Sequence, residues 1–138
     1  MTLPISAKSF IPQQYPFQFV DTLVAVEQNK TIATYKVSHD CVLLEENMLS
    51  EMAYIEILAQ TAAAGSGFYF TQANQKIPTG YIGAVKKFQL HATCTIESEL
   101  ISIVETKNSI GNASIVEGKI MCKNECIASA ELTIFVNN

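Results

Sequence analysis

Arginine is absent from this chain, and all nine basic residues are lysines. A bidentate grip on phosphate or carboxylate is therefore unavailable, so an acidic partner must be held by lysine point charges or backbone amides. Thirteen acidic residues give a net charge of −4, and no cluster of basic residues forms a nucleic-acid footprint. Long apolar runs are missing too: none reaches the roughly 18 residues that a membrane span needs. Met1 to Lys8 lacks the charged-then-apolar layout of a signal peptide. A cytoplasmic protein with no nucleic-acid or membrane partner is expected. Histidine is scarce, with only His39 and His91. Neither has ligand spacing to the Cys122-x3-Cys126 pair, and a zinc site needs a closed set of four ligands. No metal or other cofactor is expected. Cys41, Cys94, Cys122 and Cys126 read as small, mostly buried hydrophobes, unpaired in a reducing compartment. Repeats, low-complexity tracts and linkers are also lacking. Residues 1–138 should form one domain, in keeping with the usual range of roughly 100–150 residues.

Apolar residues make up 49% of the chain and charged residues 16%, which suits a well-buried globular core. A short helical turn is expected over Ser6 to Ile11, closed by Pro12. Tyr15-Pro16-Phe17 reads as a bend, since the residue before proline is pushed extended. Phe19 to Val26 is rich in β-formers. Lys30 to Val37 alternates, with Ala33, Tyr35 and Val37 on one face and Ile32, Thr34 and Lys36 on the other. Glu27-Gln28-Asn29 reads as the hairpin turn between them, and Ser38 to Asn47 as a loop. Strands are expected over Tyr81 to Leu90, Thr95 to Thr106, Ala113 to Cys122 and Cys126 to Val136. Lys86 and Lys87 should point to opposite faces of their strand. The last two strands are joined by Lys123-Asn124-Glu125, a tight turn in which Asn tolerates positive φ.

Between the early and late strands lies the most informative stretch. Met52 to Ala64 (MAYIEILAQTAAA) is apolar almost all the way round, a pattern that marks a buried helix. It is expected to start after a Ser50 cap, with Glu51 in its first turn, and to end at about Gln72. Small residues at its far end (Ala62, Ala63, Ala64, Gly65, Gly67) favour close backbone approach over intrinsic helicity. Glu56 sits near its middle, and a buried carboxylate is expensive unless paired, hydrogen-bonded or protonated. Either Glu56 reaches solvent on a narrow stripe, or it was placed there for chemistry. One long helix and about six strands cannot make a parallel α/β fold, because the crossover helices are missing. An antiparallel sheet curled around the single helix follows.

Three stretches carry a family resemblance. They are Ile11 to Asp21 (IPQQYPFQFVD), Tyr54 to Ala63 (YIEILAQTAA) and Tyr81 to Phe88 (YIGAVKKF), with Cys126 to Phe135 as a weaker fourth. Together they resemble the 3-hydroxyacyl-acyl-carrier-protein dehydratases of the hotdog superfamily over roughly residues 11 to 136. The pattern is more like the divergent dehydratase-like proteins found beside aryl-polyene pigment synthesis. The resemblance implies an α+β hotdog fold and a dimer, either a homodimer or a heterodimer with a related dehydratase. It also implies an acyl thioester carried on the phosphopantetheine of an acyl carrier protein.

In that family a helix carboxylate works with a histidine from the other subunit. The histidine takes the α-proton, and the carboxyl group assists loss of the 3-hydroxyl as water. By resemblance, Glu56 takes the carboxylate role, and Gln60, one turn on, orients it. Gln60, Phe17, Tyr15 and Gly83 fall on substrate-binding positions, Tyr15 and Phe17 as packing residues with Phe17 lining the acyl tunnel. The family's Gly-His-Phe-Pro-Gly loop is missing: Ser38 to Glu51 contains no Phe-Pro-Gly. His39 is the residue available to replace the base if its loop folds back towards a partner's Glu56. His91 reads as an exposed residue at a strand end. The expectation is a dehydratase acting on 3-hydroxyacyl thioesters. The alternatives are a non-catalytic acyl-binding subunit of a heteromeric dehydratase, or a thioesterase.

Overall fold

A helix with no polar face must be surrounded, and in the computed structural model, which describes residues 1–137, it is. Helix α1 spans Glu51–Gln72, and at about 1.5 Å per residue it runs roughly 33 Å. The remaining elements are β1 (Ile5–Ser6), a 3-10 turn (Lys8–Phe10), β2 (Thr22–Val26), β3 (Lys30–Lys36), β4 (Leu44–Glu45) and β5 (Met48–Leu49). After the helix come β6 (Thr79–Leu90), β7 (Glu99–Ile110), β8 (Ala113–Cys122) and β9 (Glu125–Asn137). Seven strands form one sheet in the order β1-β2-β3-β7-β8-β9-β6, and all its neighbours are antiparallel. The helix packs against β2, β3, β6, β7, β8 and β9, so the sheet wraps it. This is the α+β arrangement expected from the missing crossover helices.

The core divides along the helix. Tyr54, Ile57 and Leu58 pack with Leu100, Val116, Ile120, Ile127 and Leu132. Further along, Ala64 and Phe68 pack with Phe10, Ile11, Leu23 and Ala33, and the Phe68 ring meets Phe10 edge-on at 5.6 Å. Gly67 makes the second contact possible, because a Cβ there would lie 2.3 Å from the Phe10 carbonyl oxygen.

Several local expectations change. Ser50 occupies the N-cap position, but its side chain makes no capping hydrogen bond. Its carbonyl accepts from the Ala53 N–H instead. Strand β2 begins at Thr22, not Phe19, because the Phe19 N–H is taken by a helix side chain. Strand β7 begins at Glu99, since Thr95 to Ser98 closes a turn with Glu97 at φ 75°. The loop before the helix contains the β4–β5 hairpin, turned by Glu46 and Asn47, both at positive φ. The β8–β9 turn places Lys123 and Asn124 at positive φ, the geometry that suits a two-residue hairpin. Register slips in β6 between Ile82 and Ala84 and between Lys86 and Gln89. With Lys87 at φ 57° the simple alternation assumed for Lys86 and Lys87 is broken, and both are exposed.

Candidate functional site

Gln60 is the organising residue. It is 1% exposed, and a buried amide is costly unless its polar atoms are paired. Its Oε1 accepts from the Phe19 N–H at 2.7 Å. Its Nε2 donates to the Phe17 carbonyl at 2.9 Å and to Glu56 Oε1 at 3.1 Å. A backbone donor and a backbone acceptor together fix which end of the amide is oxygen. The residues entering the first long strand therefore lock Gln60, and Gln60 holds Glu56 from one helical turn away.

Glu56 itself is half-buried. It lines a groove of about 1160 Å³, bordered on the helix side by Ala59, Ala63 and Ser66. These residues fall at helix spacing from Glu56, so the small side chains form one trough. Across from them stand Ile82, Val104, Val116 and Ile134 of the sheet, with Ser9 to Gln13 along the rim. Glu56 is the helix carboxyl of this mainly apolar groove, whose other charged lining residues, Glu27 and Lys30, flank the β2–β3 turn. A carboxyl group so placed can protonate a leaving group or hold a water.

A second concavity, of about 540 Å³, is lined mainly by lysine and glutamate. Lys107 pairs there with Glu105 and with Glu117 at 3.7 Å, and Lys87 with Glu131 at 3.9 Å. Glu105, Glu117 and Glu131 are register neighbours next to the inward-facing Val104, Gly118 and Ala130, so alternation puts them on the outer face. The pairs of Lys107 with Glu105 and Glu117 are largely exposed, so they make that part of the surface a solvated one.

The remaining candidates scatter. Tyr15 and Phe17 are 71% and 60% exposed. Within this chain they are not packed, and they do not line the groove. The Tyr15 hydroxyl donates to Asp40 Oδ2 at 2.5 Å, and the Ser38 hydroxyl donates to Asp40 Oδ1 at 2.5 Å. These bonds, Ser38's first, hold the Asp40 carboxyl below its ordinary range, and the same contact raises the Tyr15 phenol. His39 is exposed beside Asp40. Among the described residues no hydrogen bond or ion pair joins it to Glu56. Gly83 follows Ile82 on β6, and a Cβ there would lie 2.3 Å from the Phe135 ring. That ring stacks on Tyr81 at 5.6 Å, so Gly83 has a packing reason of its own. His91 is exposed just past β6, its N–H on the Ile127 carbonyl at 2.7 Å.

All four cysteines are free. Burial pushes the Cys94 thiol up to about 11, so it is protonated near neutral pH and unsuited to nucleophilic work. The Cys94 N–H donates to the Tyr54 hydroxyl at 2.9 Å, and burial raises that phenol too. Among the described residues no group of three or more His, Cys, Asp or Glu side chains is placed to hold a metal ion. Among them, too, no helix is long and apolar enough to cross a membrane. Asp40 and the small groove wall escaped the sequence reading. The wall was legible in the spacing of Glu56, Ala59, Ala63 and Ser66; the Asp40 contact spans 25 residues and was not.

A family model described as ApeP dehydratase, of the ApeP-like family, matches residues 5–138. No curated protein matches the chain in sequence. Among solved structures, the dehydratase heterocomplex ApeI:P from Xenorhabdus doucetiae matches with a TM-score of 0.90 at 19% identity, covering 100% of this chain and 93% of that one. A hypothetical thioesterase with coenzyme A from Streptococcus pneumoniae gives 0.68 at 11% identity, covering 84% of each chain. A Streptococcus mutans protein bound to acetyl-CoA gives 0.69 at 14%, covering 93% of this chain and 96% of that one. At such identities these structures speak for the fold, which is the hotdog fold. With its family model matched from residue 5 to the last residue, the chain belongs to the ApeP-like dehydratase family.

Proposed function

We propose that this chain binds a 3-hydroxyacyl thioester, carried on the phosphopantetheine of an acyl carrier protein, and takes part in its dehydration to the trans-2-enoyl thioester. The observation that carries this reading is the Glu56 carboxyl, fixed by a buried and fully engaged Gln60 on an apolar groove. A base removes the α-proton, the Cα–Cβ double bond forms, and the C3–O bond breaks. Glu56 supplies the proton that lets the hydroxyl leave as water. Gln60 is its positioning residue. Phe17, Tyr15 and Gly83 belong to the substrate-binding side of the proposal, the two aromatics on the exposed entry segment that Gln60 anchors and Gly83 beside the groove-lining Ile82.

The base is His39 or a residue of a second, related dehydratase chain. The absent Phe-Pro-Gly loop favours the second source, and so does the heteromeric nature of the ApeI:P neighbour. A dimer suits the chain, since β6 is a 12-residue strand at the end of the sheet with one edge unpaired within this chain. A cytoplasmic setting goes with a carrier-protein substrate.

The test is to give the purified chain, alone and mixed with a related complete hotdog dehydratase, 3-hydroxyacyl and enoyl thioesters on carrier protein. Interconversion of the two by the chain alone, or faster interconversion in the mixture than by the partner alone, is expected. Release of free thiol without enoyl product would point to thioester hydrolysis and overturn the dehydratase reading.

A further inference from the structure

Hydrophobic burial drives α1 inside the sheet but does not say which way it should be turned. Its apolar residues run almost all the way round, so apolar contact alone gives it little rotational preference. One stripe, Tyr54, Ile57, Leu58, Thr61, Gly65 and Phe68, is buried. Another, Glu56, Ala59, Ala63 and Ser66, lines the groove. Two close approaches set how near the buried stripe comes to the sheet. A Cβ on Gly118 would lie 2.7 Å from Leu58, and one on Gly65 would lie 2.1 Å from the Thr31 hydroxyl. Between them stands a directional contact, Thr61 Oγ1 to Ser102 Oγ at 2.5 Å. Among the described residues no other side-chain hydrogen bond joins α1 to a strand of the sheet. Thr61 is 0% exposed and Ser102 1%, so their protons can be accounted for within the protein. Thr61 donates to the Ile57 carbonyl at 2.7 Å, which leaves Ser102 to donate to Thr61. The Ala33 carbonyl, 3.4 Å from Ser102, is a weaker second acceptor. Ser102 itself lies mid-sheet on β7, the register neighbour of Ala33 on β3 and Ile120 on β8.

We infer that Thr61 and Ser102 are positioning residues that key the rotation of α1 and so aim Glu56 into the groove. Thr61 directly follows Gln60 and stands five residues after Glu56, an offset of about 140° round the helix. With Thr61 held on β7, Glu56 is turned to the groove and Gln60 to the Phe17 and Phe19 backbone. The lever is a sensitive one. A side-chain end roughly 6 Å from the helix axis moves about 1 Å for each 10° of rotation. A misplacement of about 1 Å is enough to cost about 100-fold in rate. Fixing register, rather than adding stability, is the best-attested use of a buried polar contact. The inference rests on the dehydratase reading, because the aim of Glu56 matters to rate only if its carboxyl acts.

The experiment uses the full-length chain in the preparation that turns over, with Ser102→Ala, Thr61→Val, the double variant, Thr61→Ser and Glu56→Gln. Neither single loss strands a hydroxyl, since Ser102 can turn to the Ala33 carbonyl and Thr61 keeps Ile57. Melting temperatures should therefore stay within about 5 °C of wild type, and both readouts are taken well below melting. The first needs no turnover: hydrogen exchange of the Gln60 side-chain amide, which Phe17 and Glu56 hold. Ser102→Ala and Thr61→Val should speed it at least about 10-fold, while backbone amides of the β8–β9 ladder keep their protection. The second is kinetic: kcat should fall about 10- to 100-fold with little change in KM. The double variant should be no worse than the more damaging single one, as two halves of one contact behave. Thr61→Ser keeps the hydroxyl and should retain both readouts. Unchanged Gln60 exchange in both single variants would overturn the key, whether or not the chain is a dehydratase. Faster exchange with a wild-type kcat, beside an inactive Glu56→Gln, would overturn it too. If Glu56→Gln stays active, the dehydratase reading of the site falls, and the exchange rates still decide whether Thr61 and Ser102 key the helix.

Discussion

Cys94 illustrates how much a single buried side chain sets. It is 5% exposed, and burial lifts its thiol from an ordinary 9.0 to about 11. In the unfolded chain that thiol ionises first, so the folded state holds the extra proton between these values. Stability therefore falls as pH rises through that window, by on the order of 2 kcal/mol. Urea unfolding of Cys94→Ala should show a somewhat lower midpoint than wild type near about pH 8 and a smaller loss on going to about pH 10.5. Equal alkaline losses in the two proteins would mean that Cys94 is not the group responsible. The sequence marked this residue only as a small hydrophobe, because its pKa depends on neighbours 28 to 40 positions away, Cys122 and Tyr54. The Glu56–Gln60 pair was legible in outline, since i and i+4 share a helix face. What locks Gln60 was not, because Phe17 and Phe19 meet it through backbone atoms that carry no side-chain signature.

At the scale of elements, α1 follows from its sequence at both ends, and the reason it is tolerated lies in its small residues. Alanine has a helix propensity about 1 kcal/mol better than glycine. Gly67→Ala should nevertheless destabilise the protein, because the new methyl meets the Phe10 carbonyl, a backbone atom that cannot rotate away. Overpacking of this kind costs about 1–3 kcal/mol, so the expected net loss is about 1 kcal/mol, with a melting temperature a few degrees lower. A higher melting temperature would show that the 3-10 turn gives way easily. The long β strands were read from alternation. The β4–β5 hairpin was missed because each strand has two residues and Glu46-Asn47 is not a strong turn signal. The β6 bulges were invisible for a related reason: register slip is decided by β9 across the ladder, not by the local pattern.

For the whole molecule, the sheet and helix together border a long groove with the Glu56 carboxyl on its helix wall, while Tyr15 and Phe17 stand exposed outside its lining. That arrangement makes sense of a chain with half of an acid–base pair on its helix. Fold class was legible because a single all-apolar helix among strands admits few packings. Partnership was legible only through the family resemblance, because an exposed Phe17 and a free β6 edge acquire meaning only beside a second chain. The central claim is that Glu56 supplies the proton for loss of the 3-hydroxyl. Glu56→Gln keeps an oxygen for the Gln60 amide to donate to, so it removes the acid while sparing the frame. The most direct measurement is the rate of enoyl thioester formation from a 3-hydroxyacyl carrier-protein substrate by this variant, in the preparation where wild type is active. The account predicts a rate at least about 100-fold lower with the fold intact; a rate within about twofold of wild type would contradict it.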